Sequence, residues 1–246
     1  MSSSHELTQN WRKTGLVVIP AWNEADSIQN VIRSAQSVGG LNILVVDDGS
    51  SDGTDRLARD AGAIVIIHPM NLGAWTAIQT GFRYALANNY EAVLTMDADG
   101  QHLAESIPVI LKEFRDSKHD VIIGANPDRA DRFRQLSWSF FRLITKIDLE
   151  DFTSGLKLYN ARAMELMIRE RAYLFDYQDL GTLLLMQRFG LNIKEVPVSM
   201  QKRHHGKSRV FSSWWQVIRY MLLSTALIIS KFRHLENGGT TKRRKK

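Results

Sequence analysis

Two carboxylates, Asp97 and Asp99, stand one residue apart in "TMDADGQH" (residues 95–102), directly after an apolar run and before a glycine. Each raises the cost of ionising the other. An isolated Asp-x-Asp is ordinary turn chemistry, because Asp follows strands readily and accepts local backbone hydrogen bonds. In an extended segment, however, residues two apart point to the same side. Both carboxylates would then aim into one cleft, and a hard divalent cation such as Mg²⁺ or Mn²⁺ would relieve their repulsion. Such ions keep waters and take substrate phosphates as further ligands. With Gln101 adding a neutral oxygen, Asp97, Asp99 and Gln101 read as the protein's share of a metal–diphosphate site.

A nucleotide needs more than a metal. Asp48 is placed to accept hydrogen bonds from a base edge or a ribose, and Trp22 offers a face for stacking. A solvated turn acid and a partly buried aromatic are equally good readings of these two. Neither G-x-G-x-x-G nor G-x-x-x-x-G-K-[ST] follows the first apolar run, so dinucleotide-binding and P-loop readings are weak.

The elements that must position these groups repeat from about residue 15: a short β-rich run, a turn, then an amphipathic helix. "LVVIP" (16–20) precedes a helix with Ile28, Val31, Ile32 and Ala35 on one face. "NILVVDD" (42–48) precedes "GSSDGT" and a helix through Leu57 and Ala58. "AIVIIH" (63–68), "AVLTMDAD" (92–99) and "DVIIGA" (120–125) complete five short strands alternating with helices. That alternation defines an α/β fold with a mainly parallel sheet covered on both faces. Ligands of such sheets gather beyond the carboxyl ends of the strands. Three strand ends carry acid or amide groups there: Asn23 and Glu24, then Asp47 and Asp48, then Asp97 and Asp99. After residue 126 the alternation weakens. A charged loop, a helix over 137–147, a short strand within 151–160, helices over 161–171 and 178–189, and a strand over 192–198 are expected.

Of the 246 residues, 44% are hydrophobic, ample for a core, and the absence of cysteine excludes disulfides and thiolate metal sites. The net charge of +6 divides unevenly. Residues 1–195 hold 20 Lys and Arg against 25 Asp and Glu, whereas residues 196–246 hold 12 basic residues against Glu236 alone. A nucleic-acid binder more often carries its basic residues on the folded contact face, so no nucleic-acid partner is expected. The basic end also contains "SSWWQVIRYMLLSTALIISKF" (212–232). Its uninterrupted apolar run from Tyr220 to Ile229 is too short to span a bilayer core of about 30 Å. An interfacial amphipathic helix followed by "KRRKK" suits an anionic membrane surface. A helix packed against the domain, a second copy or a membrane partner subunit is the other reading.

"VVIPAWNE" (17–24), "VVDDGSSDGT" (45–54), "NLG" (71–73) and "MDADGQH" (96–102), in this order, resemble the inverting family 2 glycosyltransferases of GT-A fold. The closer likeness is to polyprenyl- or dolichyl-phosphate sugar transferases of the dolichyl-phosphate mannose synthase type, strongest over residues 15–125. "TSGLKLY" and "RHHGKSR" add support. The resemblance implies that Pro20, Trp22 and Glu24 line the nucleotide pocket, and that Val46 and Asp48 meet base and ribose. Asp97, Ala98 and Asp99 would meet diphosphate and metal, Mg²⁺ or Mn²⁺, with Gln101 as a further ligand and Asp99 at the reacting centre. Arg203 and Arg209 would lie near donor or acceptor phosphate. Where relatives carry G-[ST]-R-[YF] after the fifth strand, this chain has "GANP", so Asn126 replaces a phosphate-binding Arg. Arg129, Arg132 or Arg134 are the candidate substitutes.

The implied reaction is inverting transfer of a sugar from GDP-mannose or a UDP-hexose to a polyprenyl or dolichyl phosphate, by an enzyme held peripherally at the cytoplasmic membrane face. An ionised lipid phosphate needs no base, whereas a hydroxyl acceptor would need one, for which Asp179 is the candidate. His204 and His205 read as exposed polar residues or as phosphate or metal contacts. A non-catalytic membrane scaffold and a sugar-phosphate nucleotidyltransferase are the rival classes. The second is weakened because "PAWNEAD" lacks a glycine-rich basic loop. The expected organisation is a flexible stretch over 1–14, a catalytic domain over 15–211, an interfacial helix over 212–235 and a basic tail over 236–246.

Overall fold

Seven strands and six helices are present among the residues the computed structural model describes, which are 11, 13–38, 41–126, 138, 139, 142, 149–151, 153–169 and 178–201. The strands are β1 (Gly15–Ala21), β2 (Ile43–Asp47), β3 (Ile64–Ile67), β4 (Ala92–Thr95), β5 (Val121–Ala125), β6 (Lys157–Asn160) and β7 (Ile193–Pro197). The helices are α1 (Ile28–Ser37), α2 (Thr54–Asp60), α3 (Ala74–Ala87), α4 (Ser106–Asp116), α5 (Ala161–Arg169) and α6 (Gln178–Arg188). Every expected element within the described residues is there, with ends shifted by a residue or two except that β4, expected over 92–99, ends at Thr95. Most of the helix expected over 137–147 and all of the segments expected over 212–235 and 236–246 lie outside them.

The sheet order is β3-β2-β1-β4-β6-β5-β7. All pairings are parallel except those of β6, which runs antiparallel to both β4 and β5. The winding reverses between β1 and β4: β2 and β3 are added on one side of β1, and β4 on the other. A crevice therefore opens above the β1–β4 boundary, where open α/β sheets bind ligands.

Apolar β-rich runs suit central strands buried on both faces, and the alternation along each strand sorts them between two cores. Leu16, Val18, Leu44, Val46 and Val93 join Trp75, Phe82 and Ala85 of α3 and Ala163, Met164 and Met167 of α5. Val17, Ile19, Ile43, Val45 and Leu94 join α1 and α4 on the opposite face. Helix α1 buries Ile28, Val31, Ile32 and Ala35, the stripe that its spacing specified. Each fully buried aliphatic side chain contributes about 1.5–3 kcal/mol. Helix α3 lies so close to β1 that a Cβ at Gly81 would fall onto Val18. Its buried Gln79 donates from Nε2 to the Met167 carbonyl at 2.9 Å, tying α3 to α5. No helix among the described residues is long and apolar enough to cross a membrane.

Candidate active site

Two loops form one wall of the crevice. The chain turns after β1 at Asn23, whose φ of 54° is left-handed, a conformation Asn tolerates better than most residues. That turn is laced to the loop after β2. Asn23 N–H donates to Ser50 Oγ at 2.9 Å, and Asn23 Oδ1 accepts from Ser51 N–H at 2.9 Å. Glu24 N–H donates to Thr54 Oγ1 at 2.9 Å and Ala25 N–H to Asp52 Oδ2 at 3.0 Å. Burial works against ionising Asp52. The Thr54 hydroxyl and the N–H groups of Ala25 and Thr54 outweigh it and hold the carboxyl below its ordinary value. Asp47 closes β2, accepting from the N–H and the hydroxyl of Ser50. Pro20 stands opposite Val46 in the β1–β2 register, and Trp22 remains 37% exposed at the rim.

Asp48 follows directly after β2. It is buried, and its carboxylate points into the protein. Oδ1 accepts from Leu72 N–H at 2.9 Å, Oδ2 accepts from Gly73 N–H at 2.7 Å, and His68 Nδ1 lies 2.7 Å from Oδ1. The "NLG" turn and the start of α3 are therefore built around this carboxylate. The Val46 side chain is fully buried in the α3-side core. Sequence reading assigned no role to His68, whose only signal was its position at the end of an apolar strand.

The opposite wall follows β4. Regular strand ends at Thr95, and Ala98–Asp99 form a turn, so strand alternation does not aim the acidic pair. Asp97 is instead fixed by contacts from elsewhere. Its Oδ2 lies 3.2 Å from Nε2 of the buried His102, and 43% of its side chain stays open to solvent. The backbone of Gly155 also approaches so closely that a Cβ there would land on the Asp97 carboxylate. Asp99 Oδ1 accepts from Gln101 N–H at 3.0 Å. Ala98 between them is buried, whereas Asp99 and Gln101 are half-buried.

Gly155 is held in place by its neighbours. The Thr95 hydroxyl donates to the carbonyls of Gly155 at 2.9 Å and Lys157 at 3.2 Å, and Ser154 Oγ donates to the Gly124 carbonyl at 2.5 Å. Upstream, Glu195 of β7 accepts from the N–H groups of Glu150 and Asp151, at 2.7 and 2.9 Å. Burial pushes the Glu195 carboxyl up, and the charges of Asp151 and Glu150 add to that against the two N–H bonds. Asn126 N–H faces Asp151 Oδ2 at 3.4 Å.

The chain after β7 returns to the acidic loop. Met200 bridges His102, Gln201 N–H donates to the Gln101 carbonyl at 2.9 Å, and Ser106 Oγ donates to the Ser199 carbonyl at 3.0 Å. Arg203, Arg209, His204, His205, Arg129, Arg132 and Arg134 lie outside the described residues. Asp179 falls in the first turn of α6, with its side chain outside them too.

No group of three His, Asp or Glu side chains that could hold a metal occurs among the described residues. Asp97 and Asp99 offer carboxylate oxygens at the crevice, one of them pinned but half open. That donor set fits Mg²⁺ or Mn²⁺, which bind through one or two carboxylates and fill the remaining positions with water and substrate phosphate.

A family model for glycosyl transferase family 2 matches residues 16–173, and the chain belongs to that family: it is a glycosyltransferase. It is 30% identical to undecaprenyl-phosphate mannosyltransferase of Micrococcus luteus over 79% of this chain and 86% of that one. Polyprenol monophosphomannose synthase of Mycolicibacterium smegmatis is 27% identical over 80% of this chain and 81% of its own. Among solved structures, glucosyl-3-phosphoglycerate synthase from Mycobacterium tuberculosis, in complex with Mn²⁺, uridine diphosphate and phosphoglyceric acid, matches with a TM-score of 0.64. That match has 21% identity over 91% of this chain and 82% of that one. The fold is GT-A.

Proposed function

We propose that this glycosyltransferase moves a sugar from a nucleotide-sugar donor, GDP-mannose or a UDP-hexose, to a polyprenyl phosphate. The observation that carries the reading is the half-open Asp97 carboxylate, fixed beyond the end of β4, the strand beside β1. The names of the curated relatives, an undecaprenyl-phosphate mannosyltransferase and a polyprenol monophosphomannose synthase, support the acceptor.

In the proposed reaction an acceptor phosphate oxygen forms a bond to the anomeric carbon while the bond from that carbon to the nucleoside diphosphate breaks. The nucleoside diphosphate leaves with the electron pair, and the anomeric configuration inverts. A lipid phosphate is ionised at neutral pH, so no side chain needs to remove a proton. Asp97 and Asp99 would hold Mg²⁺ or Mn²⁺, which when bound supplies Lewis-acid stabilisation of the leaving diphosphate. Trp22, Glu24 and Pro20 would line the nucleotide pocket, with the rim tryptophan supplying a stacking face. Arg203 and Arg209 would act near the phosphates as electrostatic stabilisers. Residues 15–211 would form the catalytic domain, and 212–235 an interfacial helix holding the enzyme at the cytoplasmic membrane face.

The deciding experiment incubates the protein with GDP-mannose, UDP-glucose and UDP-N-acetylglucosamine, with and without Mn²⁺ and polyprenyl phosphate, and follows nucleoside diphosphate release and sugar in the lipid phase. Transfer that needs both additions supports the reading. Transfer to a hydroxyl acceptor, abolished in Asp179→Asn, would replace the lipid phosphate with an alcohol.

A further inference from the structure

His102 and Gly155 clamp the Asp97 carboxylate. Strand alternation does not fix its direction, because β4 has ended at Thr95 before Asp97 is reached. His102 is buried, with its side chain 1% exposed, and offers Nε2 to Asp97 Oδ2 at 3.2 Å. Its other nitrogen, Nδ1, is also buried and has no hydrogen-bond partner among the described residues. A carboxylate accepts, so Nε2 carries the proton that faces Asp97, and Nδ1 is left as the unpaired atom.

An unpaired buried polar atom is a cost to the fold. An apolar side chain of similar size would avoid that cost, so stability alone gives no reason for an imidazole here. What the imidazole adds is a rigid N–H aimed at one oxygen of a carboxylate whose side chain is 43% open to solvent. Gly155 is the second neighbour in close approach. Its carbonyl is fixed by Thr95 Oγ1 and the adjoining Ser154 is fixed to Gly124, so the Gly155 backbone cannot retreat cheaply. A side chain at 155 would displace the half-exposed carboxylate rather than the sheet.

We infer that His102 and Gly155 are positioning residues that aim Asp97 at the divalent cation of the bound donor diphosphate. This rests on the metal–diphosphate reading of the site. Partners in the second layer around a metal ligand typically alter affinity by about 10- to 100-fold when removed.

The test measures binding of GDP and UDP to the full chain by calorimetry, with and without Mn²⁺. Free Mn²⁺ is followed by electron paramagnetic resonance, and thermal midpoints are recorded beside each titration. In His102→Leu the thermal midpoint should stay or rise while Mn²⁺-dependent nucleotide affinity falls about 10- to 100-fold. His102→Gln, whose amide nitrogen can occupy the Nε2 position, should bind within a few-fold of the unaltered protein, and His102→Asn, too short to do so, should not. Gly155→Ala should remain folded and lose affinity as His102→Leu does. If His102→Leu fails to fold, the Gln–Asn contrast and Gly155→Ala decide. Unaltered affinity in both His102→Leu and Gly155→Ala, or in Asn and Ala, beside Mn²⁺-dependent binding by the unaltered protein, would overturn the clamp and leave the proposed function standing. No Mn²⁺-dependent nucleotide binding by the unaltered protein would remove both.

Discussion

The Asp48 carboxylate and the His68 imidazole meet at 2.7 Å in a buried position, and together they anchor the turn that starts α3. His68 Nε2 continues the contact to Thr80 Oγ1 at 3.0 Å, within α3 itself. One carboxylate thus ties the end of β2 to a turn and to the helix that crosses over to β4. Asp48→Ala would leave two backbone N–H groups and an imidazole without their acceptor. The expected loss is about 3 kcal/mol of stability, read as a lower urea midpoint with an unchanged slope.

Asp97 and Asp99 carry the proposed chemistry. Asp97→Asn and Asp99→Asn should each lower sugar transfer on the order of 100-fold. Urea unfolding should change little, since Asp97 is half open to water. Parallel transfer assays and unfolding curves separate the two effects.

Thr54 is fully buried, where its hydroxyl accepts from Glu24 N–H and donates to Asp52 Oδ1 at 2.5 Å. Thr54→Val keeps the shape and removes both bonds. The β1 and β2 loops then separate more readily, at about 1–2 kcal/mol. Donor KM should rise several-fold, measured at saturating acceptor.

Gly81 is required by close approach rather than by backbone conformation. Gly81→Ala would press a methyl group onto Val18 of β1, and such overpacking costs about 1–3 kcal/mol. The helix propensity gained by alanine, about 1 kcal/mol, offsets part of it. A fall in the thermal midpoint is the expected result.

Asp120, before β5, accepts from Arg162 Nη1 at 2.7 Å, Asn192 N–H at 2.9 Å and Asn160 Nδ2 at 3.0 Å. Burial resists its ionisation, but these donors prevail and hold its carboxyl below the ordinary value. A depressed folded-state value adds stability that is present above the unfolded value and is lost as pH falls through the folded one. Asp120→Asn should therefore be less stable than the unaltered protein at pH 7. The difference should shrink below about pH 4, as a pH series of urea midpoints would show.

The amino-acid sequence by itself determined the strands, the helices and the faces they bury. Alternation in β1 and the spacing of Ile28, Val31, Ile32 and Ala35 are local periodicities, and a regular backbone converts spacing directly into direction. It also placed Asn23, Asp47 and Asp97 at strand ends, because parallel strands joined by helices must all end on one edge. It did not determine where Asp48 or Asp97 points. Once a strand has ended, alternation no longer sets side-chain direction, and tertiary contacts take over. His68 and the "NLG" turn draw Asp48 inward, while His102 and Gly155 hold Asp97 at the crevice. The antiparallel insertion of β6, which carries Gly155 up to Asp97, exists only in the assembled sheet, where long-range pairing rather than local spacing sets the neighbours.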